Sequence, residues 1–234
     1  MRASRRLLPL LLLAPGLAGA AALAMPADAA APFGMPDMDD RVYVHALFDE
    51  LEGLFGGGDP TLRWEGEAWA GTDSGRLWFK SEGQLLNGRV QSGDHELLYA
   101  RPVSEFFDLQ AGVRYDLDSA AGRGWGALGI EGVAPYLFDV SATVYASDGG
   151  HFAARMKFSR ELLLTQRLVL TPGVELNAYS RADPARDVAS GVSEIEAGLR
   201  LRYEISRKFA PYAGLVYERG SRGWRAAAGV RAWY

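Results

Sequence analysis

Apolar and polar residues alternate along most of this chain with a period of two. In "FFDLQAGVRYDLD", Phe107, Leu109, Ala111, Val113, Tyr115 and Leu117 fall on one parity; Asp108, Gln110, Gly112, Arg114 and Asp116 fall on the other. Successive side chains of a strand point to opposite faces, so this segment has one oily face and one charged face. The pattern recurs in "SEIEAGLRLRYEI", where Ile195, Ala197, Leu199, Leu201, Tyr203 and Ile205 oppose Glu194, Glu196, Arg200, Arg202 and Glu204. "FDVSATVYA", "HFAARMKFS" and the closing "WRAAAGVRAWY" repeat it.

Read throughout, the alternation predicts an all-β chain of about twelve strands. They fall near residues 42–55, 61–71, 76–91, 95–103, 106–117, 124–134, 137–147, 151–160, 167–180, 192–205, 209–219 and 224–234. The first is ambiguous, because Val44, Leu47, Leu51 and Leu54 also fit a helical period. "ARPVSEF", "GVAPYLF" and "SRKFAPY" read as tight turns at one end, and "DSAAGRG", "SDGG" and "SRADPARDVASG" as longer polar loops at the other.

A soluble sandwich turns its apolar faces inward; a transmembrane barrel turns them to lipid and its charges to the lumen. The strands reach the nine to eleven residues of a tilted membrane strand, where sandwich strands average about five or six. Aromatic residues cluster at strand ends, as in an interfacial girdle. The polar faces place Gly112, Gly198 and Gly229 beside opposite charges, as a crowded lumen would. The expected fold is therefore an antiparallel transmembrane β-barrel spanning 42–234, with both termini at the periplasmic end.

The beginning of the chain agrees. Arg2, Arg5 and Arg6 precede the apolar run "LLPLLLLAPGLAGAAALA", which ends in small residues, the pattern of a secretory signal peptide. Residues 1–30 are assigned to it and 31–41 to a short leader containing Met and Asp. A membrane-anchoring helix is the alternative, but Pro9 and Pro15 interrupt the run before it reaches a span. The chain has no cysteine, which excludes disulfides, thiolate metal sites and cysteine catalysis. Its formal net charge of −4 leaves no basic domain for nucleic acid. The last residue, Tyr234, is expected on the lipid face at the periplasmic interface, as a membrane anchor and a mark for outer-membrane assembly.

Several separated blocks, "MDDRVYVHALFDELE", "LRWEGEAWAGTDSGRLWFKSEG", "DLQAGVRYD", "LLLTQRLVLTPGVELNAYS", "SEIEAGLRLRYEISRKFAPYAGLVYER" and "GVRAWY", resemble the copper resistance protein B (CopB) family, from about Met38 to Tyr234. The resemblance implies an outer-membrane barrel of a copper-resistance system that binds copper ions or helps remove them from the periplasm. It also implies, as partners, a periplasmic multicopper oxidase and other copper-resistance proteins, besides outer-membrane lipid. The family often carries a long segment rich in Met and His before the barrel; this leader holds only Met25, Met35 and Met38.

Thioether and imidazole ligands suit Cu(I), and imidazole also suits Cu(II). Met35 and Met38, beside Asp37, Asp39 and Asp40, are candidate metal ligands; two incidental methionines in a leader are the alternative. His45 is a second candidate, with Asp49 on the same strand parity to orient it; the alternative is a luminal histidine in a polar network. His95 and His151 read as exposed residues near turns. The expected lumen lining includes Glu65, Glu67, Asp108, Arg114, Glu194, Glu196, Arg200, Arg202 and Glu204. Such mixed charge is either a cation path or a set of ion pairs filling a small barrel. The near balance of Arg and acid favours the second. No enzymatic activity is expected. An outer-membrane phospholipase has a barrel of this size, but its His should shortly precede Asn87, where Leu85 stands two residues before it. A passive small-solute pore or structural barrel remains the competing reading.

Overall fold

The computed structural model describes residues 41–117, 122–186, 188–206, 208–219 and 223–234. The expected signal peptide, nearly all of the leader, and Met35 and Met38 lie outside these residues. Twelve long strands form one sheet: β1 (Tyr43–Phe55), β2 (Thr61–Thr72), β3 (Gly75–Leu86), β4 (Arg89–Pro102), β5 (Phe107–Asp116), β6 (Arg123–Ala134), β7 (Phe138–Ser147), β8 (His151–Ser159), β9 (Leu168–Tyr179), β10 (Gly191–Tyr203), β11 (Phe209–Glu218) and β12 (Gly223–Trp233). A two-residue strand, Leu162–Leu163, adds to the start of β9. Each long strand pairs antiparallel with its sequence neighbours, and β12 pairs with β1, so the sheet closes on itself. Closure leaves no unpaired edge in the membrane, where an unpaired backbone group would find no water.

The distribution of side chains is inverted relative to a soluble domain. Leu77, Phe79, Leu97, Tyr99, Val113, Leu128, Val144, Phe152 and Leu215 are exposed, while Glu52, Gln110, Arg114, Arg202 and Arg225 are buried. The parity seen in the sequence therefore maps onto lipid and lumen. Gly112 has no room for a side chain because the paired strand approaches it closely: a Cβ there would sit 2.1 Å from the carbonyl oxygen of Leu97 on β4.

Two local features depart from a simple alternation. The expected strands 76–91 and 95–103 are instead Gly75–Leu86 and Arg89–Pro102, separated by Asn87 and Gly88. Those residues have φ of 52° and 75°, the paired positive values of a two-residue hairpin turn that Asn-Gly favours. Apolar residues on both sides, Leu85, Leu86 and Val90, carry the pattern through the turn and hide it. The second feature resolves the ambiguity of β1. Its register against β2 shifts between Phe48 and Glu50, a β-bulge that leaves Asp49 without an opposite residue. Parity reverses there, so Val44 and Leu51 are exposed while Leu54 is buried. The resulting spacing imitates a helix in what is a strand throughout.

Candidate functional site

The inward faces bring charged residues from remote strands together across the lumen. Arg63 on β2 reaches Glu196 on β10 through both terminal nitrogens, one at 2.5 Å. Arg200, also on β10, holds Glu50 at 2.9 Å and Glu52 at 2.8 Å on β1. On the other side of the ring, Arg155 of β8 pairs with Glu82 on β3 and with Asp94 on β4 at 2.5 Å. Lys157, two residues further along β8, places its ammonium 2.8 Å from Glu65 on β2, 2.6 Å from Glu82 and 3.6 Å from Glu175 on β9. Arg114 on β5 pairs with Asp94 at 2.8 Å and Asp116 at 2.6 Å. The Trp125 Nε1–H donates to Asp116, and the Tyr145 hydroxyl to Glu96. These contacts form a layer of bonded charge that runs from the middle of the barrel toward the end that carries the β1–β2 and β5–β6 connections.

The periplasmic side of this layer is more open. A cavity of about 420 Å³ is lined by Arg76, Trp78, Asp108, Gln110, Glu131 and the Pro102–Phe106 turn region. Arg76 pairs with Asp108 at 3.4 Å, and Lys80 pairs with Glu131. His45, Trp69 and Trp78 follow one another on the adjoining strands β1, β2 and β3, with ring centroids 6.0 Å apart at each step. At the extracellular end, Asp183 lies between Arg123 and Arg186, 2.9 Å from each. There, burial acts to raise the Asp183 carboxyl, but the hydrogen bond from Arg186 and the charge of Arg123 outweigh it and hold the pKa below the ordinary aspartate value.

Among the expected lining residues, Glu65, Asp108, Arg114, Glu196, Arg200 and Arg202 take part in ion pairs across or around the lumen. Glu204 receives Arg202 at 3.4 Å, and Glu194 accepts a hydrogen bond from Asn177 at 3.3 Å. Glu67 is half-buried, opposite Leu47 on β1 and Lys80 on β3. Of the candidate metal residues, His45 is half-buried against Trp69, whereas Asp49 sits in the bulge with its carboxylate 2.7 Å from Arg231 of β12. The ion-pair partner of Asp49 is thus a guanidinium. Tyr234 is 81% exposed, its backbone exchanges two hydrogen bonds with Ala46, and Lys208 caps its ring at 4.1 Å. His95 lies within β4, stacked on the outward-facing Phe79. Among the described residues, no group of three or more His, Asp or Glu side chains is arranged to hold a metal ion.

Sequence reasoning missed Glu50 and Glu52, whose inward orientation depends on the bulge. Two adjacent acids in "DELE" were the available signal, since one parity cannot bury Asp49 and Glu50 together. It also missed the convergence on Arg63, Arg155 and Lys157, which depends on strand positions around a closed ring.

The geometry agrees with what similar proteins show. Two solved porins share the fold: the NanC porin, with a TM-score of 0.54 at 10% identity over 82% of this chain and 100% of the porin, and the KdgM porin, with a TM-score of 0.50 at 12% identity over 81% and 98%. In sequence, the chain is 40% identical over 179 residues to Copper resistance protein B of Escherichia coli, covering 76% of this chain and 60% of that protein. It is 39% identical over 181 residues to the Copper resistance protein B homolog of Pseudomonas syringae pv. tomato, covering 77% and 62%. The chain therefore matches less than two thirds of the length of these relatives. The profile of the family described as Copper resistance protein B precursor (CopB) matches residues 42–234. With its closed lipid-facing barrel, the chain belongs to the copper resistance protein B family and is an outer-membrane protein.

Proposed function

We propose that this barrel binds copper at its periplasmic end and assists the removal of copper from the periplasm, with the metal as cargo and no catalytic step. The observation that carries this reading is the asymmetry of the lumen. Its middle is bridged by ion pairs, while its periplasmic side holds a cavity of about 420 Å³ whose wall carries Glu105, Asp108 and Glu131. Arg76 and Lys80 offset Asp108 and Glu131, so the excess negative charge is that of Glu105. A net negative, periplasm-facing vestibule attracts cations from that compartment.

The proposed ligands form two separate sets. Met35 and Met38 offer thioethers for Cu(I) immediately before β1 in the sequence; His45 offers an imidazole for either oxidation state. Asp49 contributes charge beside the mouth while paired to Arg231. A periplasmic multicopper oxidase and other copper-resistance proteins are the proposed partners in this exchange.

Copper titration of the refolded, detergent-solubilised barrel tests the reading under reducing and oxidising conditions. It compares the native chain with a Met35→Ala/Met38→Ala variant and with His45→Ala. Selective binding lost in the first variant assigns the leader, and in the second the mouth. Binding no stronger than that of an unrelated barrel rejects the copper-binding reading in favour of a passive barrel, which the porin-like fold would equally accommodate.

A further inference from the structure

We infer that the lumen contains a latent cation-selective path whose central gap is closed by the side chain of Lys157, which acts as a tethered cation beside Arg155. This holds whether or not the barrel binds copper, because it rests only on the arrangement of charge in the lumen.

The position of Lys157 in the ring is the first support. β8 and β2 are six strands apart in a closed ring of twelve, so they face each other across the full diameter. A contact of 2.8 Å between Lys157 and Glu65 therefore crosses the axis of the barrel. The same ammonium meets Glu82 of β3 at 2.6 Å and has Glu175 of its neighbour β9 at 3.6 Å. Carboxylates from three strands thus close on a single nitrogen near the centre of the lumen. Arg63 with Glu196 and Arg155 with Asp94 span four steps of the ring, and Arg155 with Glu82 spans five, so Lys157 with Glu65 is the pair among these that crosses the full diameter.

The second support is the charge left when this nitrogen is discounted. Glu65, Glu82 and Glu175 then face the central gap with the Arg155 guanidinium, paired to Glu82 and Glu175, beside them. Three carboxylates against that one guanidinium leave the constriction net negative, and such a constriction passes cations in preference to anions. Lys157 neutralises much of that constriction and places its ammonium at the centre of it. A lysine suits this role because its charge sits on a flexible four-carbon stem with three donors, which reach Glu65 and Glu82 by hydrogen bonds and leave Glu175 within ion-pair distance. Arginine offers a larger planar head with the same charge and should also close the gap.

The test is conductance of the folded barrel in planar lipid bilayers in potassium chloride, with reversal potentials measured across a salt gradient. Native protein, Lys157→Arg, Lys157→Met and Lys157→Glu are compared, each checked for the heat-modifiable gel mobility of a folded barrel. The native barrel and Lys157→Arg should stay closed. Lys157→Met and Lys157→Glu should conduct more by a factor on the order of tenfold, with reversal potentials shifted toward that of potassium. Native conductance equal to that of the variants overturns the inference, as does a folded Met or Glu variant that stays closed or selects anions. If neither substituted barrel folds, the native measurement alone still decides, because an open native channel refutes the latch.

Discussion

Arg225 shows how a single residue can organise one end of this barrel. It is 1% exposed, and its guanidinium donates to the carbonyl oxygens of Leu54 at 2.9 Å, Gly56 at 3.2 Å and Asp59 at 3.2 Å, and to the Thr61 hydroxyl at 2.9 Å. It thereby ties the β1–β2 connection to the last strand. Replacing Arg225 with Met removes these hydrogen bonds, two of them to the buried Leu54 carbonyl and Thr61 hydroxyl, where water compensates poorly. The expected destabilisation is about 3 kcal/mol. It is read as a lower temperature for the shift between folded and unfolded gel mobility. Arg225→Lys should recover less than half of the loss, since an ammonium cannot reproduce the planar fork. The parity of "WRAAAGVRAWY" was enough to place Arg225 inside. Its partners were not legible, because they lie more than 160 positions away and meet it only when β12 closes against β1. Met35 and Met38 were legible as ligand types, but residue type alone does not create a site.

At the scale of elements, turns and bulges carried most of what the alternation concealed. Asn87–Gly88 is chemically suited to its positive φ angles, and the bulge at Asp49 explains why β1 had two readings. The β6–β7 turn is different. Tyr136 and Leu137 have φ of 67° and 60°, a left-handed conformation that costs residues with side chains roughly 1–2 kcal/mol each. Both are also well exposed, at 80% and 72%, so burial within the protein does not offset that strain. A Tyr136→Asn/Leu137→Gly variant should therefore unfold at a higher temperature in detergent, by a gain of about 1–2 kcal/mol. Unchanged or reduced stability would show that membrane-interface contacts of these side chains outweigh the backbone term. The extracellular connection after β9 gives a prediction in pH. Asp183 is held below the ordinary aspartate pKa of about 4 by Arg186 and Arg123 against the opposing effect of burial. A depressed folded pKa contributes stability above the unfolded value and loses it as pH falls through the folded one. Exchange of the Arg186 and Val188 amides, which donate to the Asp183 carbonyl, should accelerate below about pH 4 after correction for intrinsic rates. Asp183→Asn should remove that dependence.

The whole molecule is governed by an inversion that the sequence displays well and by convergence that it does not. Period-two faces, strand number and the two kinds of connection were readable because each is a local property of a strand or turn. The layer of charge across the lumen joins Arg63 to Glu196 and Lys157 to Glu65, pairs separated by 133 and 92 positions. Its geometry follows from closure and register, which no single strand encodes. Closure also sets how these ion pairs respond to salt. In 1 M salt the Debye length is about 3 Å, against about 30 Å at 0.01 M, so charges bathed in electrolyte are strongly screened between those limits. Pairs packed in direct contact and shielded from solvent are screened far less. Side chains of Arg63, Arg114, Arg155, Glu52 and Glu96 all retain less than one sixth of their exposure. The native barrel should therefore keep its unfolding temperature within a few degrees between 0.01 M and 1 M sodium chloride. A Lys157→Glu barrel, with the central gap open to electrolyte, should instead become more stable with salt, because the carboxylates left facing one another repel less when screened. A large salt-induced fall in the native unfolding temperature would mean that electrolyte already reaches the ion pairs. The layer would then be a wet lining rather than a seal, and its stabilising effect would belong to the class of weak exposed pairs.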